Sequence, residues 1–221
     1  EESTTARHKM VQKTQHFHNA PWIIFDMDEV IVNIRDRLAD HLNQATGKNI
    51  PASAWYQHDL EGIYGIDSKQ LIDIFFSSRI LETATLEPDA DKALNNAKNF
   101  GYNVGILTAR GWHHDGLNIS QQTVTQFQLP VDHIVAVPLH AKKHEVIRQA
   151  FPGGPVIGFV DDNPAHVRGV STLGIPTFVR DRPWNTDMLE YARVHNLEHF
   201  VDSVHNLHLT TRQSSDLLPG F

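Results

Sequence analysis

The sequence predicts an α/β fold: a doubly wound, mainly parallel sheet with a small helical cap inserted after the first strand. Three observations predict it. Five short, continuous apolar runs recur along the 221 residues, each with the look of a strand buried on both faces. The intervals between the later runs have the length and periodicity of crossover helices. One interval, from Ile34 to about Leu86, is too long for such a crossover and carries helical periodicity of its own.

Taken in order, residues 1–20 are polar and aperiodic, which reads as a flexible amino-terminal arm. Trp22-Ile23-Ile24-Phe25 is the first strand and stops at Asp26-Met27-Asp28. The long interval then opens with a helix carrying Leu38, Leu42 and Ala45 on one side and ending near Gly47. After Trp55-Tyr56, a second helix starts around Asp67 or Ser68, with Leu71, Ile72, Phe75, Phe76 and Ile80 as a broad apolar stripe. Residues 34–86 therefore read as a cap that buries this stripe internally and partly covers the carboxyl ends of the sheet. Pro88 to Phe100 spaces Ala90, Ala93, Leu94 and Ala97 as a helix, with Gly101 just beyond its end.

Strands follow at Asn103–Leu107, Ile134–Val137, Val156–Val160 and Ile175–Val179. Helices at Leu117–Phe127, Lys143–Ala150 and Ala165–Thr172 alternate with them, and right-handed crossovers bring such strands into one Rossmann-like sheet. A short helix is expected from Thr186 to His195, followed by a polar tail. The resulting division is a catalytic core over residues 21–33 and 87–210, with the cap at 34–86.

Composition narrows the function classes. The 19 Lys and Arg against 26 Asp and Glu leave a charge of -7, which offers no global attraction to nucleic acid, so no extended nucleic-acid interface is predicted. With no cysteine, disulfides, thiolate-bound zinc and thiol nucleophiles are excluded. No apolar run approaches the length of a membrane span, and the chain is expected to be soluble and cytoplasmic. The 15 histidines are scattered and read as surface composition.

The chemistry concentrates at strand ends. Asp26 and Asp28 follow the first strand, where open parallel sheets commonly hold ligands. Crowded carboxylates destabilise one another's charged forms unless a cation or donors compensate, so either a metal or an acid–base division of labour is implied. A second pair, Asp161-Asp162, follows GPVIGFV, and parallel strands would bring both pairs to one rim. Such an all-oxygen set suits Mg²⁺ better than a soft metal.

With these pieces in order, the chain resembles the haloacid dehalogenase superfamily, specifically its Mg²⁺-dependent phosphohydrolases. FDMDEV resembles the first motif, ILTAR the second through Thr108, a Lys at a helix start the third, and VDDN the fourth, over about residues 22–180. The resemblance implies that Asp26 attacks phosphorus to form an aspartyl-phosphate and that Asp28 serves as general acid and then base. It implies that Thr108 and the adjacent Ala109 and Arg110 hold phosphoryl oxygens, although an exterior salt bridge is nearly as natural for Arg110. Lys143 is favoured over Lys142 as the phosphate-neutralising cation, because Val146 and Ile147 then face inward. Mg²⁺ would be held by Asp26, the backbone carbonyl of Asp28, and Asp161, with Asp162 supporting the metal or orienting Lys143. Glu29 departs from the glycine common at that place in relatives, which puts the substrate geometry in question and not the nucleophile.

The cap and the DRPWN turn offer Trp55, Tyr56, His58, Tyr64, Lys69, Arg182 and Trp184 as specificity candidates, Tyr56 and Arg182 foremost for substrate binding. The expected activity is hydrolysis of a small phosphomonoester, a metabolite or a nucleotide. A phosphatase acting on a polynucleotide end or a phosphoprotein is the alternative enzyme, and a noncatalytic phosphate-binding protein the alternative outside enzymes.

Overall fold

The computed structural model describes residues 19–216; the expected amino-terminal arm lies almost wholly outside them. Six strands form one sheet in the order β5-β4-β1-β6-β7-β8, every neighbouring pair parallel. They are β1 (Trp22–Phe25), β4 (Asn103–Gly111), β5 (His133–Pro138), β6 (Val156–Asp161), β7 (Thr177–Arg180) and β8 (Ala192–Val194). The chain places β4 and β5 on one side of β1 and then returns to lay β6 on the other. That reversal opens a crevice beyond the carboxyl ends of β1, β4 and β6.

Helices α4 (Ala90–Asn99), α5 (Gly116–Gln126) and α8 (Leu197–Asp216) cover one face, and α6 (Lys143–Ala150) and α7 (Pro164–Ser171) the other. The period-two alternation of β1 explains the two cores. Ile23 and Phe25 pack with Ala93, Leu94, Phe200 and Val204, whereas Trp22 and Ile24 pack with Ile147, Phe151 and Val170. All four β1 side chains are fully buried, as the unbroken apolar run requires. Gly105 on β4 is needed for this packing, since a Cβ there would collide with the Phe151 ring and with Ile24.

Between β1 and α4, a two-residue strand β2 (Val32–Asn33) pairs antiparallel with β3 (Thr85–Leu86), so the chain leaves and re-enters the core at one place. The intervening residues fold as α1 (Arg35–Thr46), α2 (Leu60–Tyr64) and α3 (Ser68–Ser77) around Leu38, Leu42, Trp55, Ile63, Tyr64 and Ile80. Gly47 ends α1 in the left-handed conformation at φ 68°, and Asp67 caps α3 by accepting from the Gln70 amide at 2.8 Å.

Three expectations are corrected. No helix spans Thr186 to His195: a 3-10 turn at Pro183–Asn185 is followed by the edge strand β8. The expected polar tail is instead the twenty-residue α8, because Leu197, Phe200, Val201 and Val204 recur at i, i+3, i+4 and i+7 and are all buried. The α3 stripe is not buried within the cap alone, since no α3 residue is fully buried. Phe75 and Phe76 meet Trp112 at 5.4 and 6.1 Å, and Phe76 stacks on His113 at 4.4 Å, all just past the end of β4. Among the described residues, no helix is long and apolar enough to cross a membrane.

Candidate active site

Asp26 sits one residue past β1, its amide donating to the Val160 carbonyl at 2.9 Å, and this bond sets it beside the last residue of β6, Asp161. Asp26, Asp161 and Asp162 each offer a carboxylate oxygen within 4.8 Å of the others, and all three are buried. Side chains more than a hundred positions apart thus converge because their strands are adjacent and parallel.

Lys143, the first residue of α6, fills the floor of this cluster. Its Nζ donates to Asp26 Oδ1 at 2.5 Å and Asp161 Oδ2 at 2.7 Å, 5.8 Å above the Phe159 ring centroid. A cation in the first turn of a helix is opposed by the helix dipole, so the position answers to the acids rather than to helix stability. Lys142 lies outside the cluster, exposed and extended at the helix cap.

One ammonium does not balance three buried carboxylates, and the proton affinities reflect that. Burial and the neighbouring Asp161 carboxylate push Asp26 up to about 6, against the pull of Lys143 and His166. Burial and the same crowding push Asp162 well above the usual carboxylate range. Asp161 stays below that range despite its burial, through Lys143 and His166, whose Nδ1 lies 3.1 Å from Asp161 Oδ2. An all-oxygen donor set with uncompensated negative charge fits a hard divalent cation. Asp162 does not touch Lys143; it accepts from Trp184 Nε1 at 2.9 Å, and Asn185 donates to its carbonyl at 2.8 Å.

Asp28 has a different environment. Arg110 grips it from β4, with Nε on Oδ2 at 2.9 Å and Nη2 on Oδ1 at 2.5 Å, while Nη1 donates to Ser120 at 3.2 Å. Arg110 is 1% exposed, so it is neither a free fork for phosphate nor an exterior salt bridge. Its role is to hold Asp28, whose side chain remains 25% exposed toward the cleft. Thr108 is fully buried on β4, its hydroxyl accepting from the Arg110 amide at 3.4 Å, and Ala109 lines the cleft.

The cluster opens into a cavity of about 280 Å³ between the sheet and the cap. Its walls include Trp55, Gln57, His58 and Phe75 from the cap, and Trp112, His166 and Trp184 from the core.

No family model and no curated protein matches the chain. Solved structures do. A haloacid dehalogenase-like family hydrolase from Streptococcus pneumoniae superposes with TM-score 0.62 at 17% identity, covering 84% of this chain and 98% of that one. A protein from Clostridium acetobutylicum described as a predicted phosphatase gives 0.58 at 16%, covering 86% and 99%. Protein Tyrosine Kinase A of Mycobacterium tuberculosis gives 0.62 at 15%, covering 84% and 98%. The chain has the haloacid dehalogenase-like fold.

Within that fold, four expected substrate contacts are not among the residues that line the cavity: Thr108 and Lys143, both buried, and Tyr56 and Arg182. Tyr56 is 68% exposed and turned away, while its neighbour Trp55 lines the wall. Arg182 does not reach the cavity: it donates to the Glu29 carbonyl at 2.6 and 3.0 Å and to Glu87 at 2.9 Å. Tyr64 is buried in the cap core, where its hydroxyl accepts from Trp55 Nε1 at 3.2 Å, and Lys69 is a surface residue paired with Asp73 at 3.5 Å.

Glu29 explains its own departure from glycine. It adopts φ 66°, the conformation glycine takes without strain, and its carboxylate accepts from the amides of Ile34 and Arg35 at 2.8 and 2.9 Å at the start of α1. Phe75, Trp112 and His166 escape sequence reasoning. Their signal is positional: Trp112 follows ILTAR by two residues and His166 follows VDDN by three.

Proposed function

We propose that this chain is a Mg²⁺-dependent phosphomonoester hydrolase working through an aspartyl-phosphate at Asp26. The observation that carries the reading is the buried Lys143 ammonium bonded to both Asp26 and Asp161 among three clustered carboxylates, of which Asp26 and Asp162 line the cavity. Asp26, the backbone carbonyl of Asp28 and Asp161 would hold the cation, with Asp162 in the same carboxylate cluster supporting it, and the cation would supply charge neutralisation and polarisation of the phosphoryl oxygens.

A carboxylate oxygen of Asp26 attacks phosphorus, and the bond from phosphorus to the ester oxygen breaks. Asp28 gives its proton to the departing alkoxide. Water then attacks the same phosphorus and passes a proton to Asp28, and the bond to Asp26 breaks to release inorganic phosphate and the original carboxylate. Lys143 keeps Asp26 aimed and offsets charge building on the transferring group. Arg110 orients Asp28 without exhausting it, since a carboxylate has about four lone-pair positions and a guanidinium fork occupies two.

The fold by itself leaves hydrolysis and transfer to another acceptor open, because one fold hosts several chemistries. Phosphate release from an aryl phosphate, titrated with Mg²⁺, tests the reading. Asp26→Asn should abolish turnover while the protein melts as a single folded species. Undiminished turnover of a folded Asp26→Asn protein would overturn it.

A further inference from the structure

We infer that the cavity selects phosphomonoesters whose leaving group is uncharged and carries a flat aromatic ring, a nucleoside above all. The inference rests on the phosphohydrolase reading and deepens it. Three of the chain's four tryptophans, Trp55, Trp112 and Trp184, line this one cavity. They form two aromatic walls. Trp55 and Trp184 pair at 6.0 Å where the cap meets the core, and Phe75 and Trp112 pair edge-to-face at 5.4 Å across the other junction of cap and core. Trp55 and Trp184 are buried, so the half-buried Phe75 and Trp112 offer the more open ring surface, and aromatic side chains lining a cavity the size of one small molecule favour a planar occupant.

The charges decide against the other occupants. Among the described residues, Arg110 is the one lysine or arginine that lines the cavity, and its fork is committed to Asp28. The cap contributes Gln57 and His58 as its polar lining groups, with His58 Nε2 3.8 Å from Asp162. A second phosphate on the leaving group would thus find carboxylates and amide or imidazole groups but no uncommitted guanidinium or ammonium. Bisphosphates and the phosphorylated ends of polynucleotides are disfavoured on that ground. The hydroxyls of a ribose suit Gln57 and His58.

The test compares kcat/KM in saturating Mg²⁺ for a nucleoside 5′-monophosphate, 2-naphthyl phosphate, glycerol 3-phosphate, a nucleoside 3′,5′-bisphosphate and a 3′-phosphorylated oligonucleotide. The nucleoside monophosphate should exceed glycerol phosphate and both polyanions by at least roughly tenfold, the scale of one stacking contact. The naphthyl ester separates ring stacking, which it shares, from recognition of ribose, which it lacks. Trp112→Ala should lower the ratio of nucleoside to glycerol ester by about tenfold, and Trp112→Phe should keep most of it. Equal rates on glycerol phosphate, or preference for either polyanion, would overturn the inference and leave the phosphohydrolase reading standing. Hydrolysis of none of the five would sink the phosphohydrolase reading. Tryptophan quenching by a nucleoside phosphonate against an alkyl phosphonate would then still decide the pocket's preference, with equal affinity refuting it.

Discussion

Lys143→Met is the perturbation from which the site's energetics can be read most directly. The side chain is 1% exposed and serves two carboxylates at 2.5 and 2.7 Å, so its loss leaves Asp26, Asp161 and Asp162 crowded with no ammonium among them. Removing one partner of a buried ion pair costs about 3–5 kcal/mol, because the remaining charge is buried without compensation. For a domain of this size each kcal/mol moves Tm by about 2–4 °C, which gives a fall of roughly 6–20 °C at pH 7 without added metal. Asp26 is already pushed up to about 6, so acidifying to pH 5 adds a proton and should narrow the gap to the parent protein. Millimolar Mg²⁺ should narrow it too. Lys142→Met, on an exposed side chain, should change stability by less than about 0.5 kcal/mol. Differential scanning calorimetry at both pH values, with and without Mg²⁺, is the assay. An unchanged Tm for Lys143→Met would refute the claim that this ammonium offsets a buried excess of negative charge.

The raised proton affinities of Asp26 and Asp162 predict that metal-free protein near neutral pH carries protons that a cation must displace. Mg²⁺ affinity should therefore rise with pH through about 6, with proton uptake by buffer visible as a dependence of calorimetric heat on buffer ionisation enthalpy; identical heats in phosphate-free buffers of different enthalpy would contradict this. Glu29→Gly should relieve about 1 kcal/mol of left-handed backbone strain. It should nonetheless destabilise the protein by about 1–3 kcal/mol net, since it strands the Ile34 and Arg35 amides and removes a carboxylate 2.6 Å from Arg35. A rise in Tm on that substitution would show the cap-root contacts to be worth less than the strain.

Much of this was legible in the chain. Trp22-Ile23-Ile24-Phe25 is readable as a doubly buried strand because burial on both faces demands an unbroken apolar run. Lys143 was separable from Lys142 because helical phase decides which of two adjacent lysines points inward. The α8 helix was legible too, through the spacing of Leu197, Phe200, Val201 and Val204, but its many polar residues mask that stripe.

The sequence by itself determined most of the sheet strands and core helices, and the acids that follow β1 and end β6, because helical and strand periodicities and the residues at strand ends are local properties of the chain. Tertiary structure alone decided the partners. Arg110 meets Asp28 across 82 positions, Trp184 meets Asp162 across 22, and Trp55 rather than Tyr56 faces the cavity. Such pairings follow from how the sheet and cap pack in space, and local spacing carries no record of the distance between segments that only folding brings together.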